Sequence, residues 1–356
     1  EGKAGNIEIY SPLLTIGQNA QISATAKENA TNTEAGGGNI SIFSNQLNIS
    51  GQGGILAETK GNGPAGNITF KAYKANPNLE HTQSTLNITF TEKGFISAST
   101  SGAGLGGNID ISAPETIEII GDGEISVKTT GAGNAGNISI ETPNLTTEQI
   151  KITASTEANS SGDAGNIEIK TGSLRVDNDA QISAQTEGTG KGGDINISPK
   201  ETTLNITGNG EISASTSGAG QGGNILIKAT ETIDITGDGK ISVETKDVGQ
   251  AGNITITTGS LEVKNGAQIS ASTYGKGDAG SVNIKATETV FIDGGNKIGL
   301  SLDKLDQPEQ LNKSDLENLN FAGIISRVFS EAEGNGGNVT ITTGSLEIKN
   351  GAIISA

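Results

Sequence analysis

The phrase TGSLEVKNGAQISAST, starting at Thr258, has near copies in TGSLRVDNDAQISAQT and TGSLEIKNGAIISA. That repetition constrains the fold more than any single residue does, because a repeated unit this short cannot bury its own apolar face and has to stack on its neighbours. The phase is marked by a glycine, a polar residue and an apolar one in succession. The polar member falls at Asn6, Asn39, Asn67, Asn108, Asn137, Asn166, Asp194, Asn224, Asn253, Ser281 and Asn338. Most steps lie close to the 29 residues that separate Asn108, Asn137 and Asn166. Two are longer, and FISAST at 95–100 and GIIS at 323–326 identify each of these as one unit plus an insertion. The chain therefore reads as ten complete units and a truncated eleventh, a piece of a longer protein.

Each unit carries three short runs of period two, the mark of strands with one buried face. Ile40/Ile42, Ile138/Ile140 and Ile254/Ile256 exemplify the first run, Leu47/Ile49, Leu174/Val176 and Leu261/Val263 the second, and Ile96/Ala98, Ile212/Ala214 and Ile269/Ala271 the third. No helical stretch separates them, so the crossovers of a βαβ fold are excluded. The connections are longer than the two-residue hairpin turns that antiparallel barrels and propellers favour. The fold expected is all-β: a right-handed parallel β-helix (solenoid) of ten to eleven coils, about 29 residues and three short strands per coil, in a single domain spanning 1–356.

Composition narrows the function. The chain has 356 residues, 53 of them glycine, and a formal charge of −17, which repels nucleic acid and anionic lipid surfaces. Cysteine, methionine and tryptophan are absent and there is one histidine, so thiol catalysis and thiolate metal sites are excluded. No apolar run reaches the ~20 residues of a membrane-spanning helix, and none is expected to span a membrane.

The recurrent Gly-Asn has two readings. An array of ligands is one; the other, favoured because Asn tolerates left-handed turns and stacked amides bond from coil to coil, is a structural ladder through Asn6, Asn39, Asn67, Asn108, Asn137, Asn166, Asn224, Asn253 and Asn338. The third run presents an outward hydroxyl file including Ser97, Ser126, Ser213, Ser242 and Ser270. It admits an ice- or mineral-binding reading, and Ser213 is expected to tolerate aspartate. The GDG turns at Asp122 and Asp238 read as turn aspartates, and no constellation of carboxylates emerges for acid and base work. No catalytic residue, cofactor or metal is expected.

Residues 71–85 and 299–323 leave the repeat. The second contains Ser314-Asp315-Leu316-Glu317, a capping box that predicts a short amphipathic helix. With Leu305, Leu311, Leu316, Leu319 and Phe321 it is the candidate recognition insertion, since specificity on a periodic rod requires irregularity. Arg327 falls where other units place an inward alanine, which predicts a local bulge.

The phrases NGAQISASTYGKGDAGSVNI, GGGNISIFSNQLNIS and AGNITITTGSLEVKNGAQISAST resemble the repeat region of filamentous-haemagglutinin-like exoproteins of two-partner secretion systems, the large cyanobacterial ones in particular. The resemblance implies a secreted or outer-cell-surface protein, exported through an outer-membrane pore partner. It also implies a rod for attachment to a host or neighbouring cell surface or an extracellular glycan. The expected function is thus a non-enzymatic adhesion segment. A carbohydrate-active β-helix enzyme (lyase or glycoside hydrolase) and an ice or mineral binder are the alternatives.

Overall fold

The computed structural model describes residues 3–26, 36–74, 85–198, 203–295, 321–329 and 332–356. Among these the chain is all-β and without a helix, coiled as a parallel β-solenoid whose strands form one sheet of 18 and one of 11. Every strand pairs in parallel with its counterpart in the next coil, as in Ile109–Ser112 with Ile138–Glu148 and Gln181–Ser183 with Glu211–Ser213. Eleven third-run strands stack from Gln21–Ser23 to Ile353–Ser355, so at ~4.8 Å per step the body is ~48 Å long.

The first and second runs are less separate than their sequence suggests. In four coils they merge into one bent strand, such as Ile167–Asp177 and Ile254–Lys264. At the bend a hydroxyl turns back to the backbone: Thr171 Oγ1 donates to the Ser173 carbonyl at 2.8 Å and Thr258 Oγ1 to that of Ser260 at 3.0 Å.

The core consists of like residues stacked in register, Ile138 on Ile167 on Ile195 on Ile225 on Ile254, all buried. One stretch departs from this. Strand Thr85–Thr91 pairs Ile88 with Leu47 on one side and with Ile119 on the other. That is a two-residue shift of register, accommodated by three inward residues, Leu86, Ile88 and Phe90, where most coils have two. An even shift keeps the same face inward; an odd one would turn the apolar set to solvent.

A fourth inward file follows the third strand. Isolated bridges link Thr59, Thr100, Thr129, Thr156, Thr186, Thr216, Thr245 and Thr273 in turn, each buried. The same register corrects the reading of Arg327. Ile269 and Ser270 pair with Ile324 and Ile325, and Thr273 bridges Val328. Ser326 therefore occupies the inward alanine place, and Arg327 lies on the outward file opposite Ser272 without a bulge.

Glycine packs the corner between coils. An added Cβ on Gly136 would lie 1.9 Å from the Gly107 carbonyl oxygen, on Gly165 1.6 Å from that of Gly136, and on Gly252 1.8 Å from that of Gly223. Each clash is with backbone, which has no rotamer to yield. This is why the phase marker is Gly-polar: at these positions the neighbouring coil, and not the dihedral angle, excludes a side chain.

Two expectations follow. Gly165→Ala lowers the melting temperature by the equivalent of ~3 kcal/mol or more, whereas Gly17→Ala, with nothing within 4 Å of the new carbon, is neutral. Ile254→Asp places an unpaired charge in a stack shared with two coils and abolishes cooperative melting, while Thr257→Asp on the exposed face shifts it little. Thermal denaturation followed by circular dichroism checks both; equal shifts within either pair contradict the packing described.

Candidate functional site

The polar residue after the corner glycine has an exposed side chain in most coils, and from Asn6 to Ser281 its oxygen is engaged by the next coil. Asn6 Oδ1 accepts the Asn39 N–H at 2.9 Å, Asn39 Oδ1 that of Asn67 at 2.9 Å, and Asn67 Oδ1 that of Asn108 at 2.8 Å. The series continues through Asn137, Asn166, Asp194, Asn224, Asn253 and Ser281. It ends where Asn338 donates its N–H to Ser281 Oγ at 3.2 Å. The amide-to-amide stacking expected from sequence is replaced by side chain to backbone. The Asn nitrogen enters only at Asn224 and Asn253 among the described residues of this file. Aspartate and serine serve in the same place because only an acceptor oxygen is needed. With that oxygen committed, the file is not a free ligand array, and no group of three or more His, Asp or Glu among the described residues could hold a metal ion.

A second file, three residues earlier, works in the same way and was missed in the sequence. Asn134 Oδ1 accepts the Asp163 N–H at 2.9 Å, Asp163 Oδ1 that of Lys191 at 2.8 Å, and Asp278 Oδ1 that of Asn335 at 2.8 Å. The irregular mix of Asn, Asp, Lys and Gln at this phase hid it.

The outward hydroxyl file is buried over much of its length, although Ser23 is exposed and Thr153 and Ser183 are half-buried. Ser213 is 1 % exposed, Ser242 1 % and Ser270 2 %. The Lys128 ammonium pairs with Glu124 across Ser126, and Lys240 with Glu244 at 3.0 Å across Ser242. These long neighbours close over the serine between them. Ser213 Oγ is further tied to Ser215 Oγ at 2.9 Å and Ser242 Oγ at 3.2 Å. The expected tolerance of aspartate at Ser213 is therefore overturned, and the buried serines interrupt the exposed lattice that an ice-binding reading uses. Burial lowers the Lys240 ammonium, but Glu244 and Glu211 beside it outweigh this and hold it above its ordinary value.

Of the candidate insertion, Leu305, Leu311, Leu316 and Leu319 and the predicted helix lie outside the described residues. Phe321 is half-buried, and its carbonyl accepts from Gln268 Nε2 at 3.4 Å. The insertion limits are tighter than expected: Lys71 ends strand Ile68–Lys71, Thr85 begins Thr85–Thr91, and Gly323 begins Gly323–Ile325. His81 likewise lies outside the described residues.

Two outward aromatic stacks were not singled out in the sequence. Tyr274 and Phe329 have centroids 4.2 Å apart, and Tyr10 and Phe43 have centroids 4.5 Å apart with planes within 4°. The spacing of adjacent coils dictates such stacking wherever like positions both carry rings. The signal was available in IEIY and ISIF, which share a phase.

The strongest buried carboxylate network is structural. Asp177, 5 % exposed, accepts from Thr207 Oγ1, from the Arg175 guanidinium and from the Asn178 N–H. Burial alone raises its carboxyl, but these bonds together hold it below its ordinary value of 3.8. A depressed folded pKa gives stability that is present above the unfolded value and lost as pH falls through the folded one. The gap in melting temperature between the wild type and Asp177→Asn is therefore widest near neutrality and narrows as pH falls through and below the ordinary carboxylate range. A gap independent of pH contradicts the network.

No protein-family model, curated protein or solved structure matches this chain significantly.

Proposed function

We propose that the chain is a non-enzymatic adhesion segment of a large secreted surface protein. In this reading it is a stiff rod or stalk that holds the protein's contacts with cells, surfaces or glycans at a distance. The observation that supports this most is the coil-to-coil pairing, which runs the length of the solenoid with one two-residue slip at Thr85–Thr91 and one irregularity between Thr258 and Ser260. Side-chain acceptors, corner glycines and inward isoleucines all repeat along one axis, so bending at any coil breaks several files together. Resemblance of the repeats to filamentous-haemagglutinin-like exoproteins supports an extracellular location and export through an outer-membrane pore partner.

The test compares attachment with cleavage. Beads coated with the chain are exposed under flow to immobilised polysaccharides and to bacterial cells, and the same polysaccharides are incubated with the soluble chain. The proposal predicts retention of coated beads on at least one surface and no release of reducing ends or unsaturated products. Product release would make the chain a carbohydrate-active enzyme; absence of both retention and release would contradict an adhesive role.

A further inference from the structure

A cleft of about 420 Å³ lies at the bend between the first and second runs, lined by Tyr10, Phe43, Tyr73, Lys71, Lys74 and Glu141 over a floor that includes Ala72, Ala113 and Pro114. Its size falls in the range of small-ligand pockets, roughly 300–1,000 Å³. It runs from the first coil to the fifth, ~19 Å along the axis. In the second and fifth coils the bend carries a hydroxyl, Ser44 and Thr142, bonded back to the strand that follows. Between them Ala72 and Ala113 take that place, as Ala229 and Ala286 do in later coils, so the middle of the floor is apolar.

The walls are unusual for this chain, which has only 3 tyrosines and 7 phenylalanines. Two of the tyrosines and one phenylalanine line this one cleft. Tyr10 is 60 % exposed yet held: its hydroxyl donates to Glu8 Oε1 at 2.6 Å while its ring stacks on Phe43. Tyr73 is fixed through its backbone, donating its N–H to Asn45 Oδ1 at 2.8 Å. The rim mixes ammonium donors, Lys71 and Lys74, with the Glu141 carboxylate and the Ser112 hydroxyl. Asp110 lies close by; burial raises its carboxyl and Lys71 opposes this.

We propose that this cleft is a binding subsite for a neutral hexopyranosyl chain. A pyranose ring has an apolar face of C–H groups and an equatorial rim of hydroxyls that both donate and accept. Fixed aromatic rings beside a rim of both donors and acceptors match that pair of surfaces. The mixed rim also argues against a strongly charged ligand, since it carries the Lys71 and Lys74 ammoniums together with the Glu141 carboxylate. The inference deepens the adhesive reading and rests on it for its biological sense, but its chemistry is testable alone.

The test titrates the whole chain with cellopentaose, maltopentaose and penta-galacturonate by calorimetry and saturation-transfer NMR. Binding of a neutral pentasaccharide is expected. It should weaken about fivefold or more in Tyr10→Ala and in Phe43→Ala, and be unchanged in Tyr274→Ala, which removes a ring from the other stack. Circular dichroism melting should be unaltered in all three. No binding of either neutral sugar, binding of galacturonate alone, or equal binding by wild type and the Tyr10 and Phe43 variants would overturn the assignment. Beads carrying Tyr10→Ala separate the two levels: retention on surfaces despite wild-type failure to bind soluble sugar sinks the cleft and leaves the adhesive rod standing.

Discussion

The fold depends on how closely one coil can approach the next at its glycine corner. Carbonyl oxygens there occupy the space where a Cβ would be, at Gly136, Gly165, Gly193 and Gly223 in succession. That approach brings the following residue's N–H within reach of the acceptor oxygen below it, at 2.8 Å for Asn166 on Asn137. It also sets the register in which Ile167 stacks on Ile138. Loss of the approach would disturb the ladder and the core together. Glycine is usually a weakness inside regular structure, through its extra chain entropy. In this corner the cost is offset because no other residue fits.

Sequence reasoning recovered what periodicity encodes. Ile, Ala and Gly recur at fixed phase, and fixed phase in a stacked fold is fixed position, so coil length, strand runs and the inward set were legible. The cover that side chains give was not. Ser213 alternates as an outward residue should, and only the pairing of Lys240 with Glu244 across Ser242 reveals that long neighbours close over this file. The two-residue slip at Ile88 was equally hidden, because an even shift preserves alternation. GIIS does not fix the phase of Arg327 by itself; the bridge of Thr273 to Val328 sets the register and puts Ser326 in the inward place. The fourth file, of threonines, stood in plain view in SAST but lacked a second inward residue to make a pattern.

The candidate sites divide in the same way. The Asn file is repetitive, and repetition makes it structural, with each oxygen engaged by the next coil. The Tyr10 cleft lies on one outward register, Tyr10, Phe43, Lys71, Ser112 and Glu141, whose side chains change character from coil to coil. On a periodic scaffold, chemistry that distinguishes one partner from another has to come from such breaks in the pattern.

The claim that all else rests on is one coil per ~4.8 Å along a straight axis. The chain has no cysteine, so pairs of cysteines can be introduced cleanly for spin labels on one exposed file. Thr342 in the last coil can be paired in turn with Lys228, Lys170 and Glu141, which lie three, five and six coils away. Electron–electron distance measurement should give separations near 14, 24 and 29 Å, rising in proportion to the number of coils. Distances that fail to rise with coil number, or that scatter broadly for every pair, would contradict the stacked register.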